Sequence, residues 1–196
     1  SSKAAPLTSL EGLLREWGFD VGNNIVVDDS GLGQIFGADA ATPVAAGYPA
    51  HPITDRLNVM TAYPLARSIG PLKGGANGHT PDTFVQMSPR SRGESDIDGF
   101  MKSGGGKFDE GKDLKGPVSI GAAVSAVVSA PATPPEQVSA GTNEKRPETR
   151  VVAIGDSDFA ANAYISFQGN RDLFMNTIGW LAQQENLISI RPKEAG

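Results

Sequence analysis

The stretch that most constrains the fold of this chain is Val151-Val152-Ala153-Ile154-Gly155-Asp156-Ser157-Asp158-Phe159-Ala160-Ala161-Asn162. An apolar, β-branched run stops at a glycine, and an acidic, hydroxyl-bearing turn follows. A buried parallel strand delivers its chain to a helix in this way. Open α/β sheets gather ligands at the carboxyl ends of such strands. The same turn has a plainer use, because Ser157 or Asp158 can cap the helix that follows.

The flanking pattern extends the α/β expectation. Thr8-Ser9-Leu10-Glu11 has the form of a capping box, and Leu10, Leu13, Leu14 and Trp17 then share one helical face that Gly18 ends. Ile25 to Asp28 is a short strand. Thr54 can cap a short helix over Asp55–Leu57. Thr61–Ile69 and Thr83–Met87 are strand candidates, Ser88–Glu94 is a polar loop, and Gly99–Gly116 is a glycine-rich excursion. Val118, Ile120, Ala122, Val124, Ala126 and Val128 alternate with small residues, the longest strand signal in the chain. A Pro-rich polar segment, Ala130–Thr149, separates it from the Val151 strand. Asn170 caps a second helix whose buried face is Leu173, Phe174, Thr177, Ile178, Trp180 and Leu181. Leu187–Ile190 is a last strand, ended by Pro192.

An interrupted β/α alternation over 196 residues predicts one layered α/β domain with a mostly parallel sheet, Val151–Ile154 being a central buried strand. Opening on an amphipathic helix implies a lost preceding strand, so the chain is expected to be a soluble fragment of a longer protein. The net charge of −5 argues against a nucleic-acid surface, and no basic helix is present for anionic lipid. The chain has no cysteine, so thiolate metal sites, disulfides and cysteine nucleophiles are excluded. No apolar run approaches the roughly 20 residues that span a bilayer.

Two constellations could in principle be catalytic. Gly155-Asp156-Ser157 has the form of the nucleophile block of one esterase and lipase family, and Gly169-Asn170 could pass for its oxyanion block. A serine nucleophile needs a base within hydrogen-bond reach. That family's histidine lies downstream, whereas His51 and His79 are both upstream. Asp156-x-Asp158 could share a divalent cation, with Asp28-Asp29 at another strand end nearby. Phe159 interrupts the acidic pattern of haloacid-dehalogenase-like phosphatases, and little chain remains to complete such a site. Neither His51 nor His79 has partners at metal-ligand spacing. Gly74-Gly75 and Gly104-Gly105-Gly106 lack the strand, helix and Lys-Ser/Thr ending of a phosphate loop. These readings predict no catalytic residues, no metal and no cofactor. A serine or metal-dependent hydrolase using the Gly155–Asp158 turn is the alternative.

Taken in order, several pieces form a recognisable series. They are Leu14-x-x-Trp17-Gly18, Val26-Val27-Asp28, His51-Pro52-Ile53-Thr54, Tyr63-Pro64-Leu65-Ala66-Arg67-Ser68, Ser88-Pro89, Gly93-Glu94-Ser95-Asp96 and Asp113-x-x-Gly116-Pro117. Val151–Asn162, Gly169-Asn170-x-Asp172-Leu173-Phe174-x-Asn176, Trp180-Leu181-Ala182 and Ile190-Arg191-Pro192-Lys193 complete it. The series resembles the auxiliary-component domain of uncharacterised ABC-type transport systems, a relative of the gliding-motility auxiliary proteins. An aromatic residue common near Ser91-Arg92 in that family is absent. The resemblance implies a three-layer sandwich similar to class I glutamine amidotransferases and flavodoxins, without the catalytic cysteine. It also implies a non-catalytic domain on the extracytoplasmic, periplasmic face of the bacterial inner membrane, anchored by segments absent from this chain. Its partners would be the ABC permease and ATPase of the same system, with a small solute as ligand. The expected binding residues are Asp28, Asp156, Ser157, Asp158 and Asn162, on one rim at the carboxyl ends of the strands. A cation or a hydroxyl-rich solute suits the acidic character of that rim.

Overall fold

The computed structural model describes residues 8–127 and 148–183. In chain order the elements are α1 (Thr8–Glu16), β1 (Phe19–Val21), β2 (Ile25–Asp28), α2 (Leu32–Ile35), β3 (Val44–Ala45), β4 (Thr61–Ala62), β5 (Ile69–Pro71), β6 (Asp82–Gln86) and β7 (Ser91–Glu94). Then follow α3 (Ile97–Ser103), β8 (Leu114–Lys115), β9 (Ser119–Val127), β10 (Glu148–Ile154), a 3-10 turn (Asp158–Ala160) and α4 (Asn170–Leu181). The expected strand Leu187–Ile190, and most of the Pro-rich segment, lie outside the described residues.

The parallel-sheet expectation is overturned. The described strands form four small sheets, β10-β9-β6, β2-β7-β8, β1-β5 and β3-β4, and every pairing in them is antiparallel. The architecture among the described residues is therefore a mixed arrangement of helices and antiparallel sheets. It is not a mostly parallel three-layer sandwich of the glutamine-amidotransferase or flavodoxin type. The strand expected at the centre is also displaced. Val151–Ile154 belongs to β10, which pairs only with β9 among the described strands and buries only Ala153 fully.

The central strand is β9, where the alternating small residues predict a long strand. It pairs with β10 on one side and β6 on the other. Successive residues of a strand point to opposite faces. Ala122 and Ala123 are both buried, and they belong to different apolar clusters. Both faces of β9 are therefore covered. The larger cluster is built around Tyr63, Phe84, Ile120, Phe159, Leu173 and Trp180. The second holds Phe19, Ile69, Ala122 and Val124, with Leu14, Trp17 and Val21 packed against it.

Polarity concealed one strand. Ser88–Glu94 has the composition of a loop, yet Ser91–Glu94 is β7, buried along its whole length between β2 and β8. Its charges are paired where they are buried. The Arg92 guanidinium bonds the Asp29 carboxylate, donates to the Gly106 carbonyl at 2.8 Å and lies 3.6 Å from Glu94. Burial of ionised groups is tolerated when they are paired in this manner. The following glycine-rich excursion holds α3, capped by Asp96, whose carboxylate accepts the Gly99 N–H at 3.0 Å.

The helices bury narrower stripes than expected. On α4, Leu173, Thr177 and Trp180 face the core, while Phe174, Ile178 and Leu181 are exposed. The two sets are neighbouring stripes about 100° apart, and the sheets cover only the first. On α1, Leu10 and Leu13 are exposed and Leu14 is half-buried, as is Trp17 just past its end. Leu173→Ala is expected to lower unfolding free energy by about 2–5 kcal/mol. Phe174→Ala, at an exposed position, should cost about 1 kcal/mol or less. Denaturant titration of the two variants beside the parent checks this ranking. No helix among the described residues is long and apolar enough to cross a membrane.

Candidate functional site

β10 ends at Ile154, and the chain turns through Gly155, Asp156 and Ser157 into the 3-10 turn. Asp156 makes that turn. One carboxylate oxygen, Oδ1, accepts the Asp158 N–H at 2.8 Å, and Oδ2 accepts the Phe159 N–H at 3.1 Å. An aspartate that bonds backbone two or three residues ahead holds a turn in the same way as a helix cap. The expected capping residues do not do so. Ser157 makes no side-chain cap bond, and Ser157, Asp158 and Asn162 are exposed. The fixed turn inserts Phe159 into the main core beside Tyr63, with ring centroids 5.8 Å apart.

Beside this turn lies a cleft of about 460 Å³. Leu10 and Leu14 of α1, Val21 of β1, Ile69 of β5, and Val152 and Ile154 of β10 form its aliphatic walls. Glu11, Arg67, Asp156 and Ser157 supply its polar lining. Glu11, expected in a capping box, instead carries its carboxylate to Arg67, at 3.0 Å. Sequence reasoning marks neither member of that pair as a site residue. Their separation of 56 positions leaves no local sequence signal.

The five predicted binding residues do not form one rim. Asp156 and Ser157 line the cleft, but Asp28 does not. Asp28 is buried at the end of β2, and its carboxylate ties down the chain on both sides. Its Oδ1 accepts the Ser30 N–H at 2.8 Å and the Ser88 hydroxyl at 2.7 Å, and Oδ2 accepts the Ser88 N–H at 3.1 Å. Ser30 and Ser88 line another cavity, of about 560 Å³, together with Tyr48 and Met87. Antiparallel sheets explain the separation, because their strands share no common carboxyl end.

The histidines are occupied in packing. His51 is buried between Phe84 and Trp180, and its Nδ1 accepts the Ile53 N–H at 3.1 Å. Burial pushes its pKa below the ordinary histidine value, favouring the neutral ring. His79 stacks on Trp17, with centroids 4.5 Å apart. Among the described residues no hydrogen bond joins Ser157 to either ring. No group of three or more His, Asp or Glu is placed to hold a metal ion among them either.

Burial pushes the Asp156 carboxyl up from 3.8 to about 6, with the neighbouring Asp158 charge adding to the rise and the turn N–H bonds opposing it. A group whose folded pKa is raised favours the fold most when protonated. That contribution is complete below pH 3.8 and is lost as pH rises through about 6. Relative to Asp156→Asn, the parent is therefore expected to lose stability across this interval and to run parallel to the variant above about pH 7. Denaturant midpoints of both proteins across the interval measure the difference. A constant offset at every pH would contradict the assignment.

Comparison with known protein families, with characterised proteins and with solved structures yields no match to this chain.

Proposed function

We propose that this chain is a non-catalytic binding and interaction domain, acting as an extracytoplasmic auxiliary component of an ABC-type transport system. The observation that carries the binding reading is a contrast at the β10 turn. Both oxygens of Asp156 accept turn N–H groups, and exposed Ser157 is hydrogen-bonded to no histidine among the described residues, His51 being held in the core. Among the described residues the neighbouring cleft is unfilled and mainly aliphatic. Such a lining with a few convergent polar groups suits recognition. The assignment to an ABC-type system rests on the ordered residue series from Leu14 to Lys193. It does not draw on the parallel fold attached to that resemblance.

Photocrosslinking in cells tests the proposal, with the reactive residue placed at exposed Ser157 or Leu10. Crosslinks to an ABC permease or its ATPase are expected. Turnover of a generic ester or phosphate substrate that disappears in Ser157→Ala or Asp156→Asn protein would overturn the non-catalytic reading. Crosslinks only to proteins outside any transport system would overturn the assignment to one.

A further inference from the structure

We propose that the cleft between α1 and β10 binds a small aliphatic amine, its hydrocarbon chain along the cleft wall and its ammonium group at Asp156. This deepens the binding reading above and rests on it. The size of the cleft, about 460 Å³, falls within the roughly 300–1,000 Å³ usual for small-molecule sites.

The wall selects the tail. Leu10, Leu14, Val21, Ile69, Val152 and Ile154 are all aliphatic, and no aromatic side chain among the described residues lines the cleft. It offers neither a stacking platform for a ring nor an aromatic cage for a quaternary ammonium. A flexible hydrocarbon chain is the complementary shape, because each methylene it buries against the wall leaves water.

The polar lining selects the head. Arg67 is engaged by Glu11 at 3.0 Å, so its charge is already matched and is poorly placed to hold a carboxylate or phosphate. The N–H groups of Asp158 and Phe159, which could have met an anion, are taken by Asp156. The Asp156 carboxylate is left as the unmatched charge of the lining, since no cation among the described residues forms an ion pair with it. Its oxygens accept turn N–H groups, and a carboxylate with about four lone-pair sites keeps acceptor capacity beyond them. A partly buried carboxylate without a cation is costly, and an ammonium group both matches the charge and supplies three donors. A primary ammonium therefore fits better than a neutral or anionic head.

Three probes of equal chain length separate tail from head: hexylammonium, hexanoate and 1-hexanol, titrated by calorimetry at about pH 8, where a carboxylate is ionised. Hexylammonium is expected to bind at least about tenfold more tightly than either of the others. Asp156→Asn should reduce its affinity to that of the alcohol. Because Asp156 also holds the turn, Leu10→Arg provides an independent variant. Leu10 is exposed, so this substitution adds a cation to the cleft without disturbing the core. It should weaken hexylammonium and strengthen hexanoate. Equal binding of all three probes, or preference for hexanoate in the parent, would overturn the choice of head while leaving a binding cleft. Absence of binding by all three would overturn the ligand proposal, and the crosslinking outcome would still decide the partner reading separately.

Discussion

Asn170→Ala is expected to lower unfolding free energy by about 3–5 kcal/mol, among the largest losses any single truncation in this chain can produce. Asn170 has no exposed surface, and its side chain is surrounded by backbone. Its Oδ1 accepts the Ala62 N–H at 2.9 Å. Its Nδ2 donates to the carbonyls of Ala62 at 3.1 Å, and of Phe159 and Tyr164, both at 3.0 Å. One amide thereby ties β4, the 3-10 turn and the segment after it to the start of α4. Alanine would leave the buried Ala62 N–H and the buried carbonyls of Ala62 and Phe159 without this partner, while the Tyr164 carbonyl keeps the Phe167 N–H at 2.8 Å; each orphaned group costs about 1–3 kcal/mol unless water reaches it. Asn170→Asp sharpens the test. It keeps the shape but turns an oxygen toward three carbonyl oxygens, so it should be at least as damaging at neutral pH and partly relieved in acid, where a carboxyl O–H can donate. Denaturant midpoints for both variants decide the matter. A loss below about 0.5 kcal/mol in either, the range of ordinary surface changes, would show that this amide is not the tie described.

Asn170 also marks what the sequence concealed. An Asn ahead of an apolar helical stripe has the local signature of a cap. In the fold Gly169 holds the N-cap position and Asn170 turns inward. Its decisive partner, Ala62, lies 108 positions away, and no local pattern records such a contact. The same holds for the Arg67–Glu11 pair at the cleft.

Burial was more legible than direction. The small-residue alternation over Val118–Val128 locates β9, and β2 and the Leu173–Trp180 stripe also emerge from periodicity. An apolar run such as Val151–Ile154 shows that a strand is partly covered. It does not say on which side its neighbours lie or which way they run. The run suggests a parallel central strand, whereas the strand found is antiparallel and, among the described residues, borders its sheet. In β7 the error has the opposite sign. Ser91, Arg92 and Glu94 look solvent-loving one by one, but the pairing of Arg92 with Asp29 and Glu94 allows the strand to be buried. At the site, the Gly155–Asp158 turn is visible in the sequence, whereas the choice of Asp156 as its tie depends on backbone geometry that residue types do not specify.

Gly155→Ala is the second variant expected to be severe, by about 3 kcal/mol or more, for a reason separate from hydrogen-bond loss. A Cβ at this position would stand 1.8 Å from the carbonyl oxygen of Arg67 and 2.9 Å from its carbonyl carbon. These are backbone atoms, and no rotamer change moves them away. Both segments are also pinned. The Gly155 N–H donates to the Ile120 carbonyl at 2.8 Å, and the Arg67 N–H donates to the Gly155 carbonyl at 2.8 Å. Relief therefore requires parting the end of β10 from the Arg67 segment, which breaks that bond and shifts the Arg67–Glu11 pair at the cleft. In a chain of this size about 3 kcal/mol corresponds to a fall in Tm of roughly 6–12 °C. Gly12→Ala supplies the contrast. Gly12 lies within α1, and a methyl group added there would meet nothing within 4 Å. The same change at Gly12 should raise stability by about 0.5–1 kcal/mol through helix propensity. Opposite shifts in the two melts are the expected result. A Gly155→Ala melt that matches the parent would mean that β10 and the Arg67 segment do not approach as closely as described. The glycine would then serve only as the end of a strand, which is all its sequence neighbourhood suggests.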